Sequence, residues 1–313
     1  MISQVKNANL AAVKAADRID ADYGQQRLLV KRQYRIRNML RQILIYVLLC
    51  VVTLIVIIPF LWMVSTSLKT TVEASTYPPS ILPSVPQWHN YADVFNAVPF
   101  LTYLLNSILY ASAITIGQLF CCSLSAYAFS RLTFPGRNKL FIVYLATMLI
   151  PGAVTLVPSF IMMKTFGWLD SYLAIIVPGI FGSAFGTFLL RQFMYSIPRE
   201  LDEAATLDGA SKFRIYWQII LPLSRSALTV LAVTTIMNVW NDFVWPLVML
   251  QSDSVTPLTM GLSIFTSNGT EQFNNVPLNM AASTMTVAPL IIIFLFAQRH
   301  FIRGIAVSGL GGR

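Results

Sequence analysis

Residues 196–222 read SIPRELDEAATLDGASKFRIYWQIILP, and their types and spacing describe a compact protruding element. Pro198 suits a first helical turn, and Glu200, Asp202 and Glu203 set negative charge at the positive end of a helix dipole. Leu201, Ala204 and Ala205 continue a short helix with a small-residue face. Asp208-Gly209 ends it, because glycine accepts the left-handed conformation that closes a helix. Ser211 can cap a second helix, with Phe213, Tyr216, Trp217, Ile220 and Leu221 as its apolar contacts up to Pro222. The expected product is a helix-turn-helix knob whose tip another protein could approach closely. An amphipathic segment lying on lipid headgroups is the other physical reading.

A second group is Trp240, Asn241, Asp242 and Trp245. Asp242 is the acid that falls inside a long apolar run, where an ionisable group costs about 2.5–3.5 kcal/mol and therefore faces a cavity or a partner. Flat aromatic faces beside hydrogen-bonding groups suit a sugar. A structural bond stapling a broken helix is the competing role.

Other chemistry is thin. No Gly-Lys dipeptide occurs, which excludes a phosphate-cradling G-x-x-x-x-G-K-[ST] loop. His89 and His300 are the only histidines and sit at distant points of the chain. Cys50, Cys121 and Cys122 lie in apolar runs without C-x-x-C spacing, so neither a disulfide framework nor a zinc site is expected. Gly182 and Gly186 form a G-x-x-x-G suited to close helix packing. The triplet Asn268-Gly269-Thr270 is a glycosylation pattern short enough to arise by chance. Gly309 to Gly312 read as tail.

The elements that must position these groups are apolar runs. Hydrophobic residues make up 56% of the 313 and charged ones 11%, against about 25% charged in soluble domains. Six runs reach the roughly 20 residues that cross a bilayer: 42–65, 102–129, 140–163, 172–194, 223–249 and 279–298. Pro151, Pro158, Pro178 and Pro246 interrupt three of them, as happens when neighbouring helices or a water-lined cavity satisfy the freed backbone groups. The polar, mixed-charge first 40 residues do not read as a cleavable signal, so the first run is expected to be retained.

The charge of +9 sits at the ends of these runs rather than on one aromatic-interleaved face, which argues against nucleic-acid binding. Nine, three, five and three basic residues fall on one side of the alternating spans, twenty in all; one, one and none fall on the other. The positive-inside rule then places both termini in the cytoplasm. Of the outer segments, 70–101 holds Pro78, Pro79, Pro83, Pro86 and Pro99 and reads as a stiff connection. The other, 250–278, is polar with Phe265 and Phe273, and reads either as a docking loop or as a plain external loop.

Glu203-Ala204-Ala205, Gly209, and Ile219 with Leu221-Pro222 resemble the EAA loop of inner-membrane permeases of binding-protein-dependent ABC importers. The resemblance runs from about Leu61 to Ile305. Asn106-Ser107, Ala126-Tyr127-Ala128 with Arg131, and Phe134-Pro135-Gly136-Arg137 are similar to that family's second span and following loop. Arg191-Gln192-Phe193, Ile197-Pro198, Asp208-Gly209-Ala210-Ser211, Trp240-Asn241-Asp242-Phe243 and Phe301-Ile302-Arg303-Gly304 are similar to its carbohydrate branch, the maltose-type (MalG-like) permeases. The N-terminal extension looks longer than usual, and the ending SGLGGR departs from that branch.

The resemblance implies an all-α integral membrane protein with the six-helix, MetI-like fold of a type I importer permease. Its parts would be a cytoplasmic extension 1–41, a transmembrane domain 42–298 with the EAA loop 196–222, and a tail 299–313. It implies a non-catalytic subunit of the bacterial inner membrane that binds no cofactor. ATP and Mg would be bound by two partner ATPase subunits, alongside a second permease, an extracytoplasmic solute-binding protein and a sugar or oligosaccharide. A polyol, glycerol phosphate or an amino acid is the alternative solute. Coupling to the ATPase is implied for Glu203, Ala204, Ala205, Asp208, Gly209 and Ala210, with Glu203 meeting a basic residue.

Overall fold

The computed structural model describes residues 34, 37–181, 183–267 and 275–310, with side chains given no description at 264–267, 297 and 299–310. The Asn268 triplet, Gly182, Phe273 and the last three residues lie outside that range. The regular structure among the described residues is all helical, and the chain divides into two units, 1–62 and 63–313.

The first unit is described at residue 34 and over 37–62, the latter belonging to the 31-residue helix α1 (Arg37–Ser67), whose most apolar 18-residue stretch has a mean hydropathy of 3.1. Every described residue of 37–62 is exposed. An exposed helical surface apolar on all sides is suited to lipid.

The second unit is organised around α4 (Phe100–Arg131), 32 residues and so about 48 Å long. α4 packs against α7 (Tyr172–Phe181), α8 (Ala184–Tyr195), α12 (Arg225–Asn241) and α14 (Leu258–Ser267). Glycines allow the close approaches: a Cβ on Gly179 would sit 2.8 Å from Ile114, and one on Gly186 2.8 Å from Leu231 and 3.0 Å from Cys122. Gly186 is therefore the part of the G-x-x-x-G whose packing role is visible.

Prolines break the other apolar runs. α5 (Arg137–Ala146) and the turn Thr147–Leu149 bend by 97° at Pro151 into α6 (Gly152–Thr165). α12 stops at Asn241, and α13 (Val244–Met249) resumes after Asp242. The last helix, α15 (Val276–Leu310), runs through Pro289. Four helices are individually long and apolar enough to cross a membrane, and up to six spans result if two bent pairs each count as one: Arg137–Leu149 with Gly152–Thr165, and Lys212–Leu223 with Arg225–Asn241, the latter bent by 76°.

At one end of α4 lies the knob: α9 (Glu200–Leu207), α10 (Lys212–Ile215), a π turn Tyr216–Ile220 and α11 (Leu221–Leu223). At the other end lie α2 (Thr71–Ser75), α3 (His89–Ala97), the segment 250–257 and α14. The segment 250–278 is thus not loop throughout. Leu258 and Met260 are buried and Leu262 packs beside them, so an apolar helical face is concealed within its Ser/Thr-rich composition.

Candidate functional site

The knob is built as its residues dictate. α9 ends in a Schellman motif: Gly209 N–H donates to Thr206 O at 3.0 Å and Ala210 N–H to Ala205 O at 2.9 Å, with Gly209 at φ +81°. Ser211 caps α10 through its hydroxyl, which accepts from Arg214 N–H at 3.3 Å. α9 has two distinct faces. Ala205 is buried and Asp202 half-buried, whereas Glu203, Ala204, Leu207, Asp208 and Gly209 are exposed, and Ala210 is intermediate.

The second half of the knob departs from simple helical periodicity. Ile215, Tyr216 and Ile220 are buried, while Phe213 and Trp217 are exposed. The π turn widens the repeat to i→i+5, which brings Ile215 and Ile220 onto one face.

Three turns of α4 hold the knob. Ser123 and Tyr216 share a hydroxyl–hydroxyl bond of 2.8 Å, and Tyr127 OH donates to Lys212 O at 2.9 Å. Arg131 Nη1 pairs with Asp202 Oδ2 at 3.1 Å, and its Nη2 donates to Met194 O at 2.6 Å and Ile197 O at 2.7 Å. Burial raises the Tyr216 phenol above its ordinary range.

At the far end, one face of α4 holds the backbone of 253–258. Tyr103 OH donates to Asp253 at 2.6 Å, Asn106 Nδ2 to Ser254 O and Thr256 O at 2.9 and 3.0 Å, and Tyr110 OH to Val255 O at 2.7 Å. Leu258 N–H donates to Ser107 Oγ at 2.8 Å. Beside this, Asp170, at φ +55°, accepts from Gln251 N–H and Ser252 N–H at 2.8 Å and from the Ser252 hydroxyl. Those donors hold its carboxyl below the ordinary aspartate range.

Between the two ends lies a cavity of about 310 Å³ lined by α4, α7 and the α12–α13 break. Asp242 and Trp245 line it, with Ser107, Tyr110, Gln118 and Pro178. Gln118 spans two helices there, donating to Gly179 O at 2.8 Å and accepting from Thr235 Oγ1 at 3.0 Å. Trp245 Nε1 donates to Ala174 O at 3.1 Å. Ala174 O is the carbonyl that Pro178, having no N–H, leaves unpaired four residues on, so Trp245 repairs the break in α7. Asp242 accepts a long 3.4 Å bond from Trp245 N–H across the start of α13, which uses little of a carboxylate's acceptor capacity.

The other two members of that group lie elsewhere. Trp240 is 3% exposed in the apolar core, donating to Thr286 O at 3.3 Å. Asn241 is exposed and donates to Met237 O at 2.8 Å. Gln118, Tyr110 and Ser107 join the cavity from 60 or more residues' remove; only their small or polar character inside the second apolar run hinted at them. Among the described residues no three metal-ligating side chains come together.

Residues 28–307 match the family model for the binding-protein-dependent transport system inner membrane component. The chain is 36% identical over 239 residues to the sn-glycerol-3-phosphate transport system permease protein UgpE of Yersinia pestis bv. Antiqua (strain Antiqua), covering 74% of this chain and 84% of that protein. The Yersinia enterocolitica relative of the same name is 35% identical over 272 residues, 84% of this chain and 95% of its own. Among solved structures, a bacterial ABC transporter involved in the import of the acidic polysaccharide alginate superposes with a TM-score of 0.76 at 26% identity, over 83% of this chain and 95% of that one. An alginate ABC transporter in complex with an alginate pentasaccharide-bound periplasmic protein shares the fold at 17% identity and a TM-score of 0.59, over 83% and 94%. The chain belongs to the family of binding-protein-dependent transport system inner membrane components, the non-catalytic permease subunits of ABC importers.

Proposed function

We propose that this chain forms half of the translocation pathway of an ATP-driven importer for a neutral sugar or oligosaccharide, working with a second permease, two ATPase subunits and an extracytoplasmic solute-binding protein. It crosses the membrane six times, with α5–α6 and α12–α13 each serving as one bent span and both termini in the cytoplasm. Residues 42–298 form the transmembrane domain, between the extension 1–41 and the tail 299–313. The twenty-to-two distribution of basic residues supports this orientation. ATP and Mg belong to the partner ATPases.

The observation that carries the reading is the two-faced α9. Its inner face is fixed to the bundle, while Glu203, Ala204, Asp208 and Gly209 are bare at the tip of a Schellman-closed turn. That is the construction a coupling helix needs, with Ala205 and Ala210 supporting it from behind and Glu203 offered to a basic residue of the ATPase.

The pathway portion of this subunit is the cavity at Asp242 and Trp245. Trp240 and Asn241 support it from the core and the outer surface of α12. The relatives named for glycerol 3-phosphate make that solute the second reading. The cavity lining argues against it, since it holds the Asp242 carboxylate and no Lys or Arg. Uptake by the complete complex in proteoliposomes distinguishes the two. Neutral oligosaccharides should compete for transport and glycerol 3-phosphate should not; the opposite order would replace this solute assignment with the phosphate ester.

A further inference from the structure

Arg131 is the last residue of α4, and its guanidinium joins three elements at once. Nη2 takes the two carbonyls Met194 O and Ile197 O at the end of α8, and Nη1 takes Asp202 in the first turn of α9. The pair is secluded, with side chains 4% and 19% exposed. Ser123, Tyr127 and Arg131 recur every four residues and so form one stripe of α4, yet the first two grip only α10 and the π turn. Of the three, it is Arg131 that makes an ion pair with α9, at 3.1 Å from Asp202.

Within α9, Asp202 and Ala205 are the residues most withdrawn from solvent, three residues apart on one face. Ala205 presents a single methyl, which resists compression and little else. The ion pair is directional and charge-assisted, and can pull as well as push. Arg131 Nε and Asp202 Oδ1 are buried without hydrogen-bond partners, so the contact is not a saturated network of the kind that merely cements a core. From this joint α4 continues unbroken past the cavity residues Gln118, Ile114 and Tyr110 to the side chains that hold 253–258.

We propose that the Arg131–Asp202 pair is the joint through which movement of the coupling helix enters α4, and hence reaches the cavity and the segment 253–258. Arg131 is a positioning residue: it touches neither solute nor partner. The inference rests on the reading of α9 as the ATPase-docking element.

The test uses the complete complex in proteoliposomes with its binding protein. Asp202→Asn removes the charge but keeps the shape, and leaves both carbonyl bonds of Arg131 in place. Assembly and basal ATP hydrolysis should stay near wild type, while solute imported per ATP falls about tenfold, within the usual range of coupling between sites. Asp202→Glu, which restores the charge, should recover most of that loss. Arg131→Lys keeps the charge but gathers its donors on one nitrogen, without the planar fork that lets Nη1 and Nη2 reach separate acceptors, and should uncouple to an intermediate degree. Unchanged import per ATP in Asp202→Asn would overturn the inference. So would loss of assembled complex in strict proportion to uptake in both Asp202→Asn and Arg131→Lys, which is a purely structural role. A separate cross-link of Ala204→Cys to the ATPase subunits checks the underlying reading. Its absence in an otherwise wild-type background would remove the docking assignment and this inference with it.

Discussion

Replacing Gly209 by valine perturbs the knob at a point where the chain itself offers no steric objection. A Cβ built on Gly209 meets nothing within 4 Å, so the cost inside this protein is conformational. The residue sits at φ +81°, where a non-glycine residue costs about 1–3 kcal/mol and a β-branched one lies at the upper end. The two Schellman bonds, at 3.0 and 2.9 Å, are what that strain would open. At 1.4 kcal/mol per factor of ten, the turn would hold its docking shape about tenfold to a hundredfold less often. The added methyls also point away from the bundle, into the space an ATPase cleft must occupy.

Gly186→Ala supplies the contrast. Its Cβ would meet Leu231, Ser183 and Cys122 at 2.8–3.0 Å, and overpacking of this sort costs about 1–3 kcal/mol too. The energies are alike but fall in different places. Measured as ATPase subunits copurifying per membrane-inserted permease, Gly209→Val should show normal insertion and a large loss of association. Gly186→Ala should show less inserted permease, with normal association for what remains. Wild-type uptake by Gly209→Val at normal coupling would refute the reasoning and take residues 196–222 out of the coupling role.

Further outcomes follow from the same geometry. Asp242→Asn should alter transport affinity or solute preference with assembly intact, since its backbone bond from Trp245 N–H is long, at 3.4 Å; a folding defect without any change in preference would assign it to stapling α12 to α13. Trp245→Phe keeps an aromatic face but removes the indole N–H that serves Ala174 O together with some volume, and the unsatisfied carbonyl should lower complex stability by about 1–3 kcal/mol, read as a fall in melting temperature; no fall would mean that another group serves that carbonyl. Asp170 has a depressed carboxyl pKa, so its clamp on 251–252 is fully present above the ordinary aspartate value of about 3.9 and is lost as pH falls through its lower folded value. Protease access to 250–257 should therefore be flat from neutral pH down to about pH 4 and rise only below it, whereas Asp170→Ala should be open throughout; a transition near pH 6 in the wild type would contradict this. Cysteine at Tyr77 should label from outside intact cells or spheroplasts and cysteine at Leu207 should not, measured against the background of Cys50, Cys121 and Cys122; the reverse would invert the orientation.

Local signals were readable along the chain and long-range ones were not. The knob was legible almost to the residue, because a dipole-matched start, a glycine stop and a serine cap act through neighbouring backbone groups. The long apolar runs were legible because a bilayer demands composition rather than pairing. The π turn at 216–220 was not, since the expected stripe of Phe213 and Trp217 assumed an unbroken 3.6-residue repeat. α14 was hidden by the polar residues around Leu258 and Leu262. The tryptophans were ambiguous for a related reason: spacing could not say that Trp240 turns to the core while Trp245 turns to the Ala174 carbonyl, 71 residues away, which Pro178 leaves orphaned. Arg131 with Asp202, and Asp170 with Ser252, are meetings of distant segments that leave no periodic trace.

The most direct test of the central claim is solute accumulation in proteoliposomes holding the purified complex, with the binding protein outside and ATP inside. Accumulation should require this chain, ATP and binding protein together, and this chain alone should hydrolyse no ATP. Accumulation that proceeds without ATP, or that persists when this subunit is omitted, would contradict the account.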